Sequence, residues 1–121
     1  MDTNIEEKFI TKLIKDTKVG TVKWRTDSDY KIELPGYERY TSKIYTTDIS
    51  DKVFRLYIYQ FKNYTDEEEW DWIERVRFEM IDKEGDTLYE YIYNYSLYQL
   101  FNAVRKANSG VDDLMKDFLN K

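Results

Sequence analysis

Three stretches in the middle of the chain alternate their side chains with period two, and this limits the available folds more than any other feature. In VFRLYIYQF (53–61), Phe54, Leu56 and Ile58 point one way, while Val53, Arg55, Tyr57, Tyr59 and Phe61 point the other. RVRFEMI (75–81) sets Val76, Phe78 and Met80 against Arg75, Arg77 and Glu79. TLYEYIYNY (87–95) sets Leu88 and Ile92 against Tyr89, Tyr91, Tyr93 and Tyr95. DKEGD, with Gly85 at its tip, reads as the hairpin turn between the last two. Period two over such lengths demands an antiparallel sheet with one apolar face.

More strands are expected upstream. TVKWR places Val22 and Trp24 on one face, and DYKIEL places Tyr30, Ile32 and Leu34 on one side. Pro35-Gly36 makes a turn, YERYTSKIYTTDI reads as one strand centred on residues 40–47, and SDK turns the chain again. Helical periodicity occupies both ends. Thr3 and Glu6 have capping-box spacing before a stripe of Ile5, Phe9 and Leu13 with Ile10 and Ile14, and Gly20 stops that helix near Thr17. Ser96 with Gln99 predicts the start of a second helix that buries Leu97, Leu100, Phe101 and Val104. After Asn108-Ser109-Gly110, a third is expected to bury Val111, Leu114, Met115 and Phe118. The expected fold is α+β, a single domain over 1–121. It has an N-terminal helix, a five- to six-stranded antiparallel meander, and two C-terminal helices packed on one sheet face.

Composition narrows function. The chain has neither cysteine nor histidine. Disulfides, thiolate chemistry and a Ser-His-acid triad are therefore excluded, and the commonest metal ligand is missing. The four glycines are isolated at element boundaries and form no phosphate loop. Net charge is −5, the wrong sign for neutralising phosphates, so direct nucleic-acid binding is disfavoured. An acidic N-terminus without an apolar core, and no long apolar run, imply no secretory signal and no membrane span. A cytoplasmic protein without cofactors is expected.

The opening FITKLIKDTKVGTVKW, residues 9–24, carries Thr17, Gly20, Val22 and Trp24 in a TxxGxVxW spacing. It resembles the start of small uncharacterised proteins of Gram-positive bacteria and their prophages. That resemblance covers only these residues, involves no chemistry, and implies a mobile-element or accessory setting.

Two constellations remain. TDEEEWDWIERVRF, residues 65–78, sets Trp70 and Trp72 among Asp66, Glu67, Glu68, Glu69, Asp71 and Glu74. Continuous acids without glycine do not suit a calcium loop. A carboxylate pair in an apolar wall, as in glycoside hydrolysis, lacks any accompanying sugar cleft. Strand spacing puts Trp72 with Val76 and Phe78 in the core; a short helix over 66–74 would instead set Trp70 and Ile73 on one side and the acids on the other, and under either reading Trp70 is the surface residue. A partly exposed tryptophan rimmed by carboxylates is a fit anchor for a protein partner with a basic surface. Glu67, Glu68, Glu69, Trp70 and Asp71 form that candidate site; the bland alternative is a solvated loop over a buried ring. The second constellation is the tyrosine face: Tyr57, Tyr59, Tyr89, Tyr91 and Tyr93 interleaved with Arg55, Arg75, Arg77 and Glu79. Open, it would hold a nucleotide or another aromatic ligand, with Arg75, Arg77 and Lys31 for phosphates; otherwise its tyrosines simply pair across strands. The reading favoured is a non-enzymatic protein-binding inhibitor, of phage counter-defence or immunity type, with a homodimer also compatible. A small-ligand binder is the alternative and a carboxylate hydrolase the least favoured.

Overall fold

The computed structural model describes residues 3–26 and 32–121; the Thr3 capping side chain, Tyr30 and Lys31 lie outside that description. The elements are α1 (Thr3–Val19), β1 (Arg25–Thr26), β2 (Glu38–Tyr40), β3 (Tyr45–Ile49), β4 (Lys52–Tyr64), β5 (Trp70–Ile81), β6 (Thr87–Glu90), α2 (Tyr95–Ser109) and α3 (Val111–Leu119). This is an α+β chain with one N-terminal helix, a six-stranded antiparallel sheet and two C-terminal helices. It divides into a helical unit, Met1–Arg25 with Asn94–Lys121, and a sheet unit, Thr26–Tyr93. Among the described residues no helix is long and apolar enough to cross a membrane.

In the helical unit α1 packs against α2. Its buried stripe runs through Ile10, Leu13 and Thr17, turned from the expected one, so that Ile5 is exposed. The Trp24 indole explains the inclusion of a threonine: its Nε1 donates to the buried Thr17 Oγ1 at 3.0 Å. Gly20, at φ +87°, stops α1, and Asp16 O accepts from the backbone N–H groups of Gly20, Thr21 and Val22. The buried residues of α2 include Leu97, Leu100, Phe101 and Val104, as their spacing predicts. Its cap is Asn94 and not Ser96: the Asn94 side chain accepts from Ser96 N at 2.8 Å, and the helix begins one residue before the serine. Gly110 ends α2 in the left-handed region, at φ +72°. α3 departs most from expectation. It buries nothing: Leu114, Met115, Phe118 and Leu119 are exposed, Phe118 at 74%. Its apolar periodicity is real, but the described chain does not cover it.

The sheet unit is built on the long β4–β5 hairpin, registered from Val53↔Ile81 to Tyr64↔Trp70. β3 and β2 share the other edge of β4, with Thr47↔Phe54 and Tyr40↔Tyr59 among their pairs. The single strand expected over 40–47 is therefore two. Between them Ser42 Oγ accepts from Ile58 N at 2.8 Å, and Thr41 N donates to Ile58 O, so a side chain replaces part of the ladder. Residues 32–34 of the expected DYKIEL strand are not in a strand. Pro35-Gly36 does make a turn, closed by Glu38 N donating to Pro35 O.

Phe54, Leu56, Val76 and Phe78 are buried on one face, with Ile58 and Met80 partly so. Leu88 and Ile92 are not: they are exposed at 52% and 62%. The register explains this. Met80 opposes Tyr89 while Ile81 opposes Thr87, so Leu88 is the extra residue of a β-bulge. One inserted residue exchanges the faces of β6, and Tyr91 packs on Phe78 at 4.7 Å and on Phe54 at 6.4 Å in place of the aliphatic residues.

Candidate functional site

The tyrosine face of β4 and β5 is a buried network, which corrects the expectation of an open platform. Tyr57 is 1% exposed and Tyr59 8%. Tyr89 and Tyr91 belong to the opposite face, beyond the bulge, where their rings meet edge to face. Arg77 turns inward. Its guanidinium grips the Glu38 carboxylate through two bonds of 3.0 and 3.1 Å, donates to Tyr57 Oη at 3.2 Å, and lies 3.9 Å above the Tyr59 ring. Its Nε faces Glu90 at 3.4 Å without a hydrogen bond. Burial works against the Arg77 cation, but the bonds to Glu38 and Tyr57 more than offset it and raise its pKa. Burial, reinforced by Glu79, pushes the Tyr57 hydroxyl up to about 12 against the pull of Arg77, and burial raises Tyr59 as well.

One step along, Arg55 Nε donates to Glu79 Oε1 at 2.7 Å and Nη1 donates to Gly85 O at 3.2 Å, while Thr87 Oγ1 donates to Glu79 Oε2 at 2.8 Å. Of the two arginines offered to phosphates, Arg77 is thus committed to a carboxylate of this chain. Arg75 is half-buried, its guanidinium over Tyr93 at 4.9 Å and Phe61 at 5.2 Å, and Tyr93 is 38% exposed.

The acidic stretch is the tip of the β4–β5 hairpin. Thr65 N donates to Glu69 O at 2.9 Å, and the Asp66 carboxylate accepts from Glu68 N and Glu69 N at 2.7 and 2.9 Å. Asp66 is therefore a turn residue, its side chain replacing backbone acceptors. Glu67, Glu68, Glu69 and Asp71 are exposed, and none has an ion-pair partner among the described residues.

Beneath the tip the apolar face of the hairpin changes character. Continuing past Ile58, it carries Gln60, Lys62 and Tyr64 on β4 opposite Glu74, Trp72 and Trp70 on β5. Trp70 meets Trp72 edge to face at 5.1 Å, and Tyr64 lies 6.5 Å from Trp70. Lys62 Nζ stands 4.6 Å above Trp70, and the Arg39 guanidinium 3.9 Å above Trp72. Arg39 is held there by Gln60, whose Oε1 accepts from its Nε at 2.8 Å. Trp72 does share a face with Val76 and Phe78, but it is half-buried and clamped by cations rather than lodged in the core. Trp70 is 37% exposed beside the free carboxylates. Sequence reasoning located the tip and missed Arg39 and Lys62. Lys62 was legible as the cross-strand neighbour of Trp72; Arg39, on a separate strand, was not.

Among the described residues no three carboxylates converge to hold a metal ion. The helical unit contains a cleft of about 370 Å³ lined in part by Lys18, Lys23, Lys106 and Lys116 with Asp112 and Asp113. Lys106 stands 3.7 Å from Asp112 there, so the charges offset one another. The chain matches no protein-family model, no curated protein and no solved structure.

Proposed function

We propose that this chain is a non-enzymatic protein-binding module whose hairpin tip occupies a basic surface on a target protein. One observation carries the reading: among the described residues Glu67, Glu68, Glu69 and Asp71 have no cation of their own, and they surround a tryptophan that is 37% exposed. Uncompensated surface charge raises encounter rates with an oppositely charged partner, and a large aromatic ring at the centre of the patch slows dissociation. The ring is preorganised. Lys62, Trp72 and Tyr64 hold Trp70 in place, which reduces the entropy lost on binding.

The net charge of −5 works against nucleic acid as the target. The alternative of a ligand held on the tyrosine face loses its support, because Tyr57, Tyr59 and Arg77 are buried and engaged. With the prophage-like opening, the biological role that fits is inhibition of a bacterial protein in the cytoplasm, as a counter-defence or immunity-type factor. The test is affinity capture from a native host, with wild type, a Glu67/Glu68/Glu69→Gln variant and Trp70→Ala as parallel baits. A basic protein retained by the first and lost by both variants supports the proposal. Equal retention by all three overturns it.

A further inference from the structure

The cleft of the helical unit gathers charged groups that find no partner within it. Its walls are the C-terminal ends of α1 and α2 and the first turns of α3, and every lining residue belongs to that unit. The walls are tied together. Trp24, only 7% exposed, lines the cleft with its indole Nε1 donating to Thr17 Oγ1 at 3.0 Å, and its carbonyl accepts from Asn108 Nδ2 at 3.1 Å. Val22 N donates to Asp16 O at 3.1 Å. Residues 22–24 thus bridge α1 and α2, and the fold holds the space of about 370 Å³ open in advance.

Four lysines and two aspartates line it, a local excess of positive charge in a chain of net charge −5. The nearest carboxylates along the helices are committed to other lysines. Asp16 is held by Lys12 at 2.9 Å and not by Lys18. Asp112 is held by Lys106 at 3.7 Å, although Lys116 stands one turn further along α3. Lys18, Lys116 and Asp113 are left without an ion-pair partner among the described residues. A lysine in a last helical turn can serve the free carbonyls there. At these ends other groups do so: Asp16 O and Thr17 O accept from Gly20 N, and Lys106 O accepts from Ser109 Oγ at 2.6 Å.

We propose that this cleft binds a phosphorylated small molecule that also carries hydroxyl groups, of the sugar phosphate or mononucleotide class. Two ammonium groups from different helices suit a single phosphate monoester, which has a charge of about −2 and three acceptor oxygens. A carboxylate offers half that charge. Asp113 sets the second requirement. Its carboxylate repels a bare anion and can only accept, so it favours a ligand whose hydroxyl donates to it while the phosphate lies against Lys18 and Lys116. The volume falls within the range of small-molecule sites and leaves no room for a duplex. The overall charge that disfavours nucleic acid acts over many phosphates, whereas one phosphate is neutralised here locally.

Titration of the full chain with ribose 5-phosphate and AMP, followed by NMR, tests the site; ribose, adenosine and inorganic phosphate are the controls. The Trp24 indole N–H and the Gly110 amide report on the cleft, which both residues line. Both esters should shift these signals saturably, and ribose and adenosine should not. Lys18→Met and Lys116→Met should each weaken the esters by about tenfold. Both side chains are exposed, so the melting temperature of each variant should stay near that of wild type. Asp113→Asn should tighten inorganic phosphate more than ribose 5-phosphate, because only the ester loses an acceptor for its hydroxyl. No saturable shift with either ester overturns the proposal, as does an affinity indifferent to both lysine variants or equal binding of ribose and ribose 5-phosphate. Inorganic phosphate binding as tightly as the esters, with Asp113→Asn tightening all alike, also overturns it, since the cleft then merely attracts anions. Glu67/Glu68/Glu69→Gln should leave these titrations unchanged, so this proposal and the target-binding reading fail separately.

Discussion

Replacing Glu79 with alanine should be among the most damaging single changes in the sheet unit. The Arg55 and Glu79 side chains are 5% and 3% exposed. Removing the carboxylate deprives Arg55 of its Nε partner at 2.7 Å and of the ion pair through Nη2, and leaves the Thr87 hydroxyl without an acceptor. Gly85 O, at 3.2 Å, is a neutral acceptor and does not replace a carboxylate for a guanidinium that cannot shed its proton. Breaking a buried pair from one side costs about 3–5 kcal/mol, against a total stability of about 5–15 kcal/mol for a domain of this kind. The double replacement Arg55→Met with Glu79→Leu removes both desolvation penalties and should lie close to wild type, or even exceed it by about 1–4 kcal/mol. Urea unfolding followed by circular dichroism gives all the free energies of the cycle. If Glu79→Ala costs less than about 1 kcal/mol, or if the double variant is as unstable as the single, then the pair is not buried in the way described.

Three further outcomes follow from other parts of the structure. Unfolded tyrosine ionises near pH 10 and Tyr57 at about 12, so its contribution is complete below pH 10 and is lost as pH rises through 12. That is about 2–3 kcal/mol, and Tyr57→Phe should show a shallower alkaline decline in stability; an equal decline contradicts the assigned shift. Ser50 and Asp51 both occupy positive φ, 51° and 67°, in the β3–β4 turn, where Ser50→Asn with Asp51→Gly should raise stability by about 0.5–1 kcal/mol. A lower urea midpoint would argue against that turn geometry. Phe118→Ala should change stability by less than about 0.5 kcal/mol because the ring is exposed, and a loss of several kcal/mol would show that the α3 face is covered in solution.

Period-two patterning identified which residues of β4 and of β5 share a face, and the structure keeps those faces intact across the whole hairpin. It could not say which face is covered. The tyrosine–arginine face looked open because two helices can cover only one face of a sheet, and the aliphatic face was the natural candidate. The partners of Arg77, Glu38 and Glu90, come from β2 and β6, and nothing local to Arg77 announces them. The bulge at Leu88 was hidden for a different reason: a single inserted residue leaves the local alternation unchanged and alters only what opposes it. In α3 the apolar spacing was legible, but burial depends on a partner surface that no helical period encodes. At the tip, the acids and the half-exposed Trp70 could be read directly, because a run of carboxylates fits few places other than a solvent-facing turn. The clamp on Trp72 could not, since Arg39 reaches it from another strand.

Association kinetics of the captured target, measured at several salt concentrations, test the central claim most directly. Wild type should associate fast and lose rate steeply as salt rises. Neutralising Glu67, Glu68 and Glu69 should slow association and flatten that slope, because rim charges act mainly on encounter. Trp70→Ala should leave the slope alone and speed dissociation, weakening binding by about 2 kcal/mol or more. An association rate indifferent to the three glutamates, together with unchanged dissociation in Trp70→Ala, would reduce the hairpin tip to a solvated turn.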